Sequence, residues 1–435
     1  MSHKTLSRRG FVVSAVSAAG GLAIGVAIPG LARAMTGSDG LVHPGEVNAW
    51  ILIEPDETVV IRIPHSEMGQ GAATALPMIV AEELECDWKK VKGEFADANR
   101  SIRENEVYSD QRTTGSRGVA TSHKYLQQAG ASARVRLIAA AAQVWNVPES
   151  ECAAANGAVS HAGSNRTLSY GKLASSAARI KLDAEPAIKK PGAFKLIGTS
   201  QPRLDTKVKV DGSAQYGIDT REDGMHFASI MSVPVNSGKL VRVDDSAVTS
   251  MRGIVKVVSL PNAVAVVANS YWRAHEALKA LKITWDMGPG ATLNSASLSK
   301  MYHDGLNGPS KEVRKDGDAA SLLADANVIE AVYEAPLLAH ATMEPLNATV
   351  QLRDGRLDVW TGTQAALNLL KQAARDSGLK PEQIHIHNTF LGGGFGRRSM
   401  GDEMAQAIAL VKILNDGKKL KLIWSREQDI RHDRY

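Results

Sequence analysis

Cysteine is nearly missing from these 435 residues: Cys86 and Cys152 are the only two, and they lie in unrelated contexts. A disulfide framework, a cysteine-ligated zinc site and an iron–sulfur cluster each need more thiols or closer spacing, so each cysteine reads as a small buried apolar side chain. Aromatics are scarce too, at 5%, and no Lys/Arg run has aromatics interleaved with it, which argues against a nucleic-acid partner. The formal charge of +5 does not restore that reading. Lys4, Arg8, Arg9 and Arg33 stand near the N-terminus with no acid among them, and the remainder is close to neutral. No short-period repeat is visible. With 44% hydrophobic and 22% charged residues, the chain has the composition of two or three ordinary globular cores and no mark of disorder.

What is present begins with a leader. Ser7-Arg8-Arg9-Gly10-Phe11-Val12 precedes an apolar run of Ala, Gly and Val, and Ala32-Arg33-Ala34 then supplies a small-x-small cleavage pattern. Residues 1–34 read as a cleaved twin-arginine signal peptide. The competing reading, a membrane anchor over 11–32, is weakened by the many Gly, Ala and Ser residues. The twin-arginine route carries folded proteins, often with cofactors already inserted. The expected location is therefore the periplasm, with membrane association if the leader is retained.

Past a polar linker, alternating apolar residues predict a hairpin from strands at 50–53 and 58–63 around Pro55-Asp56-Glu57. Helices are predicted over 72–84 and, in an Ala-rich stretch, over 119–146. Short strands and helical turns follow over 154–184, and Lys189-Lys190-Pro191-Gly192 reads as a linker. Residues 203–286 read as a separate small α/β domain, with strands over 216–219, 226–233 and 254–260 and a helix over 271–281. Strands over 346–352, 356–360, 384–390 and 420–424 then alternate with helices over 365–377 and 402–414. The fold class is α+β. Nothing caps the strand over 420–424 before Tyr435, which reads as an abrupt end for a domain.

Three glycine-bearing turns carry the chemical signal. Leu391-Gly392-Gly393-Gly394-Phe395-Gly396-Arg397-Arg398 lies between a predicted strand and a predicted helix. Consecutive glycines let backbone N–H groups approach a ligand, and a helix start favours anions. It is not the dinucleotide fingerprint, because Arg397 occupies the place of the last glycine, and no P-loop lysine follows. Glu67-Met68-Gly69-Gln70-Gly71 and Thr113-Thr114-Gly115-Ser116 are the other two turns. Singly, each is a helix start or a hydroxyl cap; together they point to a large phosphorylated cofactor. Gln364, at a strand end, offers a neutral amide able to donate to an oxo ligand. His340 and Glu344 could form a metal or acid–base pair, but without a third ligand at metal-site spacing they read as a hydrogen-bonded core histidine and a structural carboxylate. No metal-ligating side chain is assigned.

Taken in order, Ser66 to Gly71 with Thr74-Ala75-Leu76-Pro77, Thr114-Gly115-Ser116, Arg203-Leu204-Asp205, Asp211-Gly212, Tyr216 to Asp219, His340 to Pro345 and Gly392 to Arg398 resemble the molybdopterin-binding subunit of the xanthine dehydrogenase and aldehyde oxidase superfamily. The resemblance is to its exported branch, which includes isoquinoline 1-oxidoreductase beta subunits and membrane-associated aldehyde dehydrogenases. It implies a molybdenum hydroxylase large-subunit architecture: a molybdopterin-binding segment over 45–188 in permuted order, an α/β hammerhead domain over 203–286, and the first, incomplete part of a further molybdopterin-binding domain over 310–435. By similarity, Gly394, Phe395 and Gly396 would line the molybdenum site, and Gly393 and Arg397 would bind the cofactor with them. Gln364 would contact an oxo ligand, and Gly69, Gln70, Gly71, Thr114, Gly115 and Ser116 would hold the pterin dinucleotide.

The implied cofactor is molybdenum–molybdopterin cytosine dinucleotide. The implied reaction hydroxylates an aldehyde or N-heteroaromatic small molecule with oxygen from water. Electrons would pass to a small iron–sulfur subunit, with a cytochrome c as a further acceptor. Arg397-Arg398 replaces the Gly-Lys-Glu continuation of purine-oxidising relatives, which disfavours a purine. The family's catalytic glutamate, in a Gly-x-Gly-Glu segment near the C-terminus, has no counterpart here. That implies a second chain or a lost segment supplying the C-terminal half, and leaves two alternatives: a catalytically inactive remnant or binding protein, and a flavin or quinone enzyme that uses the same turns.

Overall fold

The computed structural model describes residues 22–24, 48–306, 308–324 and 326–434. The expected leader therefore lies outside the described residues except for Leu22–Ile24 (β1), which pairs antiparallel with Ile51–Ile53 (β2). β2 forms the predicted hairpin with Val59–Ile63 (β3), and Ile51, Ile53, Val59, Ile61 and Ile63 all face the core, as a period of two requires. Val91–Phe95 (β4) joins β3 in parallel. A parallel neighbour needs a crossover, and Ala72–Leu84 (α1) supplies it. Ala98–Arg103 (α2) follows β4.

The Ala-rich prediction becomes Gly118–Trp145 (α3), which packs along α1. The two helices nearly touch at Gly130, where an added Cβ would stand 2.4 Å from the Val80 carbonyl oxygen. Close packing of backbones is what the small residues of both helices permit. Cys152–Ala155 (β5), Ala158–His161 (β6) and Arg166–Ser169 (β7) form a small antiparallel sheet, followed by Tyr170–Ala177 (α4). The predicted linker near Lys189 is tethered to α1: the buried Glu82 carboxylate accepts from the amides of Lys195, Leu196 and Ile197 and pairs with Lys189 at 2.7 Å.

After Thr206–Val210 (α5) come His226–Ser232 (β8), Lys239–Asp244 (β9), Ile254–Leu260 (β10), Ala263–Ala268 (β11), Tyr271–Ala280 (α6) and Lys282–Asp286 (β12). Then follow Ser295–Leu306 (α7), Ala319–Ala324 (α8), Asn347–Arg353 (β13), Arg356–Thr361 (β14), Ala366–Ser377 (α9), Ile384–Asn388 (β15), Asp402–Leu414 (α10), Leu420–Ile423 (β16) and Arg426–Arg431 (α11). The segment over 203–286 shares a sheet with the last part of the described chain. One seven-stranded sheet runs in the order β10-β11-β8-β16-β13-β14-β15, joined across the two regions by the parallel pairing of β16 with β8. The reason is visible in β11, whose six residues are all buried: Ala263, Ala265 and Val267 pack into the core shared with α9 and α10, and Val264 and Val266 into one with α6. A strand apolar on both faces needs both covered.

Two strand predictions are shortened. Residues 216–219 turn instead of extending, because the Asp219 carboxylate accepts from the Tyr216 amide at 3.0 Å, and only Tyr216 bridges to Phe390. β15 ends at Asn388, whose side chain leaves the ladder to bind Ser66 and Thr363. Between β12 and β13 the chain exposes many large apolar side chains, among them Ile329 at 97% and Tyr333 at 92%. Among the described residues no helix is long and apolar enough to cross a membrane.

Candidate functional site

The three glycine turns, far apart in sequence, meet at one cavity. Its lining includes Gln70, Gly71, Thr114, Gly115, Ser116, Gln364, Phe395 and Gly396, together with His65, Met68 and Thr113, around a volume of about 430 Å³. Among the lining residues described, none is a carboxylate. Gly69, Gly393, Gly394 and Arg397 are absent from the lining, and each has a different part in the wall.

Ser66 and Thr113 begin the assembly. The Ser66 amide donates to Thr113 Oγ1 at 2.9 Å, its hydroxyl donates to the Thr363 carbonyl at 2.5 Å, and Asn388 Nδ2 donates back to that hydroxyl at 2.9 Å. The Thr113 amide donates to the Gln364 carbonyl at 2.7 Å, and Arg112 and Ala365 form an antiparallel bridge beside it. The turn before α3 is thus sewn to the end of β14.

Gln364 completes the seam. Its Nε2 donates to the Thr113 carbonyl at 2.9 Å, and its Oε1 accepts from the Gly396 amide at 3.0 Å. The residue is 2% exposed. The amide was expected to serve an oxo ligand; it bridges two loops instead, which leaves at most one N–H for a ligand. Gly394 is required by the same seam: a Cβ there would lie 2.5 Å from Gln364 Oε1 and 2.7 Å from Met68 Sδ. Phe395 takes a positive φ of 53° and leaves its ring 69% exposed at the rim.

Arg397 departs from its expected role as a cofactor ligand. Its guanidinium is buried beneath the loop, 3.0 Å from Asp402 and 3.2 Å from Asp433, and lies over the Trp424 ring. A buried guanidinium needs carboxylate partners, and those available lie behind the loop. Arg398 likewise pairs with Glu344 at 3.0 Å. Glu344 also accepts from the amides of Gly392 and Ile218, at 2.9 and 3.0 Å, and His340 contacts Asp433 at 2.9 Å. Both side chains are thus engaged in the wall, with Glu344 buried and His340 a quarter exposed at 25% rather than in the core; among the described residues no group of three or more His, Cys, Asp or Glu is placed to hold a metal ion.

The first turn is also wired differently from the expectation. Gln70 folds back on its own loop, donating to the Ser66 carbonyl and accepting from the Met68 amide, both at 2.8 Å. The amides of Gly69, Gly71 and Ala73 all donate to Glu67, at 2.8, 3.2 and 2.8 Å. Burial would raise the Glu67 carboxyl, but those amides and Lys209 hold it below the usual range. Glu67 and His65 had no role assigned from sequence; the spacing of a carboxylate two and four residues before glycines at a helix start was the available signal for the first. His65 binds Ser122 at 2.9 Å, and burial lowers its basicity. The cap residue's own side chain closes neither helix; the start of α3 differs from that of α1 in having no carboxylate like Glu67 on its amides among the described residues, and Thr114, Gly115, Ser116 and Arg117 surround it at the cavity.

Comparison with known proteins agrees with this geometry. A molybdopterin cofactor-binding domain model matches residues 12–226, and a second of the same description matches 302–434. The chain belongs to the xanthine oxidase family of molybdenum-cofactor-binding proteins. Within that family, isoquinoline 1-oxidoreductase subunit beta of Brevundimonas diminuta is 32% identical, aligned over 98% of this chain and 60% of its own length. Membrane-bound aldehyde dehydrogenase (pyrroloquinoline-quinone) of Gluconacetobacter polyoxogenes is 29% identical over 99% of this chain and 57% of its own. The chain thus spans less than two thirds of the length of either relative. Among solved structures, the aldehyde oxidoreductase from Desulfovibrio gigas overlaps 60% of this chain and 34% of its own, at 18% identity and a TM-score of 0.45; that overlap is partial and adds nothing to the family assignment.

Proposed function

We propose that this chain is the molybdopterin-binding part of an exported molybdenum hydroxylase that oxidises an aldehyde or an electron-poor N-heteroaromatic with oxygen from water. Electrons would leave through a separate small iron–sulfur subunit, with a cytochrome c as an onward acceptor. The observation that carries this reading is the convergence of three sequence-distant glycine turns on one cavity, bridged by Gln364. The cytosine dinucleotide form of the cofactor, export to the periplasm by the twin-arginine leader, and a hammerhead domain over 203–286 belong to the same proposal.

The residues present fit the cofactor. The wall is made of amides, hydroxyls and the start of α3, which suit phosphates and pterin nitrogens, and Gly394 lets Gln364 and Met68 pack against the loop that carries Phe395 and Gly396. When bound, the cofactor supplies two-electron redox chemistry. The chain's own residues then divide the work: Thr114 and Ser116 hold phosphate oxygens, Gln364 fixes the distance between loops, Phe395 offers an apolar face to a planar substrate, and Arg397 anchors the glycine loop from beneath. A glutamate base would come from the remaining length of the subunit, downstream or on a second chain.

The test is analysis of the exported protein for molybdenum, pterin, and CMP released by hydrolysis. All three should be equimolar with the subunit. A bound flavin or quinone without molybdenum would sink the proposal. A second reading, a catalytically inactive remnant or one half of a split subunit, is favoured by the exposed apolar segment between β12 and β13; soluble, molybdenum-free monomer would support it.

A further inference from the structure

We propose that Glu67 is a positioning residue for the cofactor: its carboxylate is a built-in anion that presets the loop over 66–73, so that the dinucleotide phosphates are held at the start of α3 and excluded from the start of α1. This inference rests on the molybdopterin reading above.

The two helix starts at the cavity look equivalent in sequence and differ in the structure. At α1 the amides are already committed. Glu67, 0% exposed, takes those of Gly69, Gly71 and Ala73; Gln70 Oε1 takes that of Met68; and the Thr74 amide closes on the Gly71 carbonyl at 3.0 Å. A carboxylate in this place satisfies the helix dipole and repels a second anion. Its countercharges are supplied from beyond the first unit: Arg203 at 2.9 Å and Lys209 at 3.4 Å, both also bound by Asp205, at 2.8 and 2.5 Å.

The Glu67 carbonyl in turn accepts from the Leu391 amide at 3.3 Å, which registers this loop on the glycine-rich one. A carboxylate that fixes three amides and a carbonyl that fixes a fourth make the loop a rigid wall. At α3 no comparable carboxylate is found among the described residues: the cap residue Arg117 makes no side-chain bond to the helix, as Gly71 makes none at α1, and the hydroxyls of Thr114 and Ser116 precede it. The phosphates therefore go to α3.

The test uses the molybdenum subunit as exported with its native partners. Glu67→Gln removes one charged acceptor and leaves Arg203 and Lys209 facing only Asp205. We expect the cofactor to dissociate about tenfold faster or more, the size associated with losing charge-assisted hydrogen bonds. The phosphorus resonances of the dinucleotide still bound should shift in Glu67→Gln, because the start of α1 is no longer closed to a second anion, and Ser116→Ala should shift them from the other side. Glu67→Asp, which keeps the charge but falls short of Ala73, should lie between Gln and wild type. Should Glu67→Gln fail to accumulate, Arg203→Gln, at a partly exposed partner of the same carboxylate, reads the same release rate. Wild-type retention in these variants, or phosphorus resonances unmoved in Glu67→Gln, would overturn the proposal. A wild-type subunit without molybdenum would instead count against the function proposed above.

Discussion

Gln364 donates its side-chain amide to the carbonyl of Thr113 at 2.9 Å, across 251 positions of sequence. With the Thr113 amide on the Gln364 carbonyl and the Arg112–Ala365 bridge, this bond joins the turn before α3 to the end of β14, and the other end of the same amide holds Gly396.

Gln364→Ala should therefore leave the Thr113 carbonyl and the Gly396 amide without their partner in a buried place. The cost of such orphaned groups is about 1–3 kcal/mol each before relaxation. The expected result is a lowered thermal midpoint together with reduced molybdenum content. Calorimetry and metal analysis on the same preparation check it, and unchanged cofactor content would remove the bridge from the account.

Gly392→Ala should be damaging for a different reason. Its Cβ would stand 2.3 Å from Glu344 Cβ, and Glu344 holds Arg398 and the Ile218 amide at 3.0 Å each. Overpacking of this kind costs about 1–3 kcal/mol or more. Gly192→Ala, with nothing within 4 Å of the new Cβ, should be neutral within about 0.5 kcal/mol. Denaturant midpoints of the pair test the contrast.

Acid should weaken the underside of the glycine loop through His432. Burial, with Arg431 and Arg397 nearby, lowers its basicity to about 4 from 6.5. Between those values the unfolded chain binds a proton that the folded chain does not, so stability must fall as pH falls from about 6.5 to about 4. Thermal midpoints across that window should drop in the wild type and drop less steeply in His432→Gln. Parallel profiles for the two proteins would refute the assignment.

The apolar segment between β12 and β13 makes a prediction about association. Ile329 and Val332, 97% and 70% exposed, contribute little to the folded chain, so replacing both with serine should change stability by no more than about 0.5 kcal/mol each. Exposed apolar patches promote contact with other surfaces, so the same change should reduce self-association of this chain studied by itself. Light scattering against concentration is the measurement.

Much of the local structure was legible before any coordinates. The hairpin β2–β3 follows from strict alternation, α1 and α9 from their periodicity, and the glycine turns from residues that have no Cβ to obstruct an approach. The motifs also placed the chain in its family, because several short patterns in a fixed order are far more specific than any one of them. Tyr216 to Asp219 misled, since an extended apolar tetrapeptide reads as a strand until an Asp219 carboxylate turns it, and the region from 203 to 286 gave no sign in sequence that its strands would be completed by β16.

What the sequence by itself determined is which residue types stand at the turns, and hence that backbone amides and small polar groups would meet a large anionic cofactor. What only the tertiary structure decided is which of those groups are available to it. Glu67 takes the amides of its own loop, Asp402 and Asp433 take Arg397, and Thr113 takes Gln364. A buried polar group must be satisfied by whatever lies nearest in space, and nearness across 251 positions is a property of packing that no local pattern encodes.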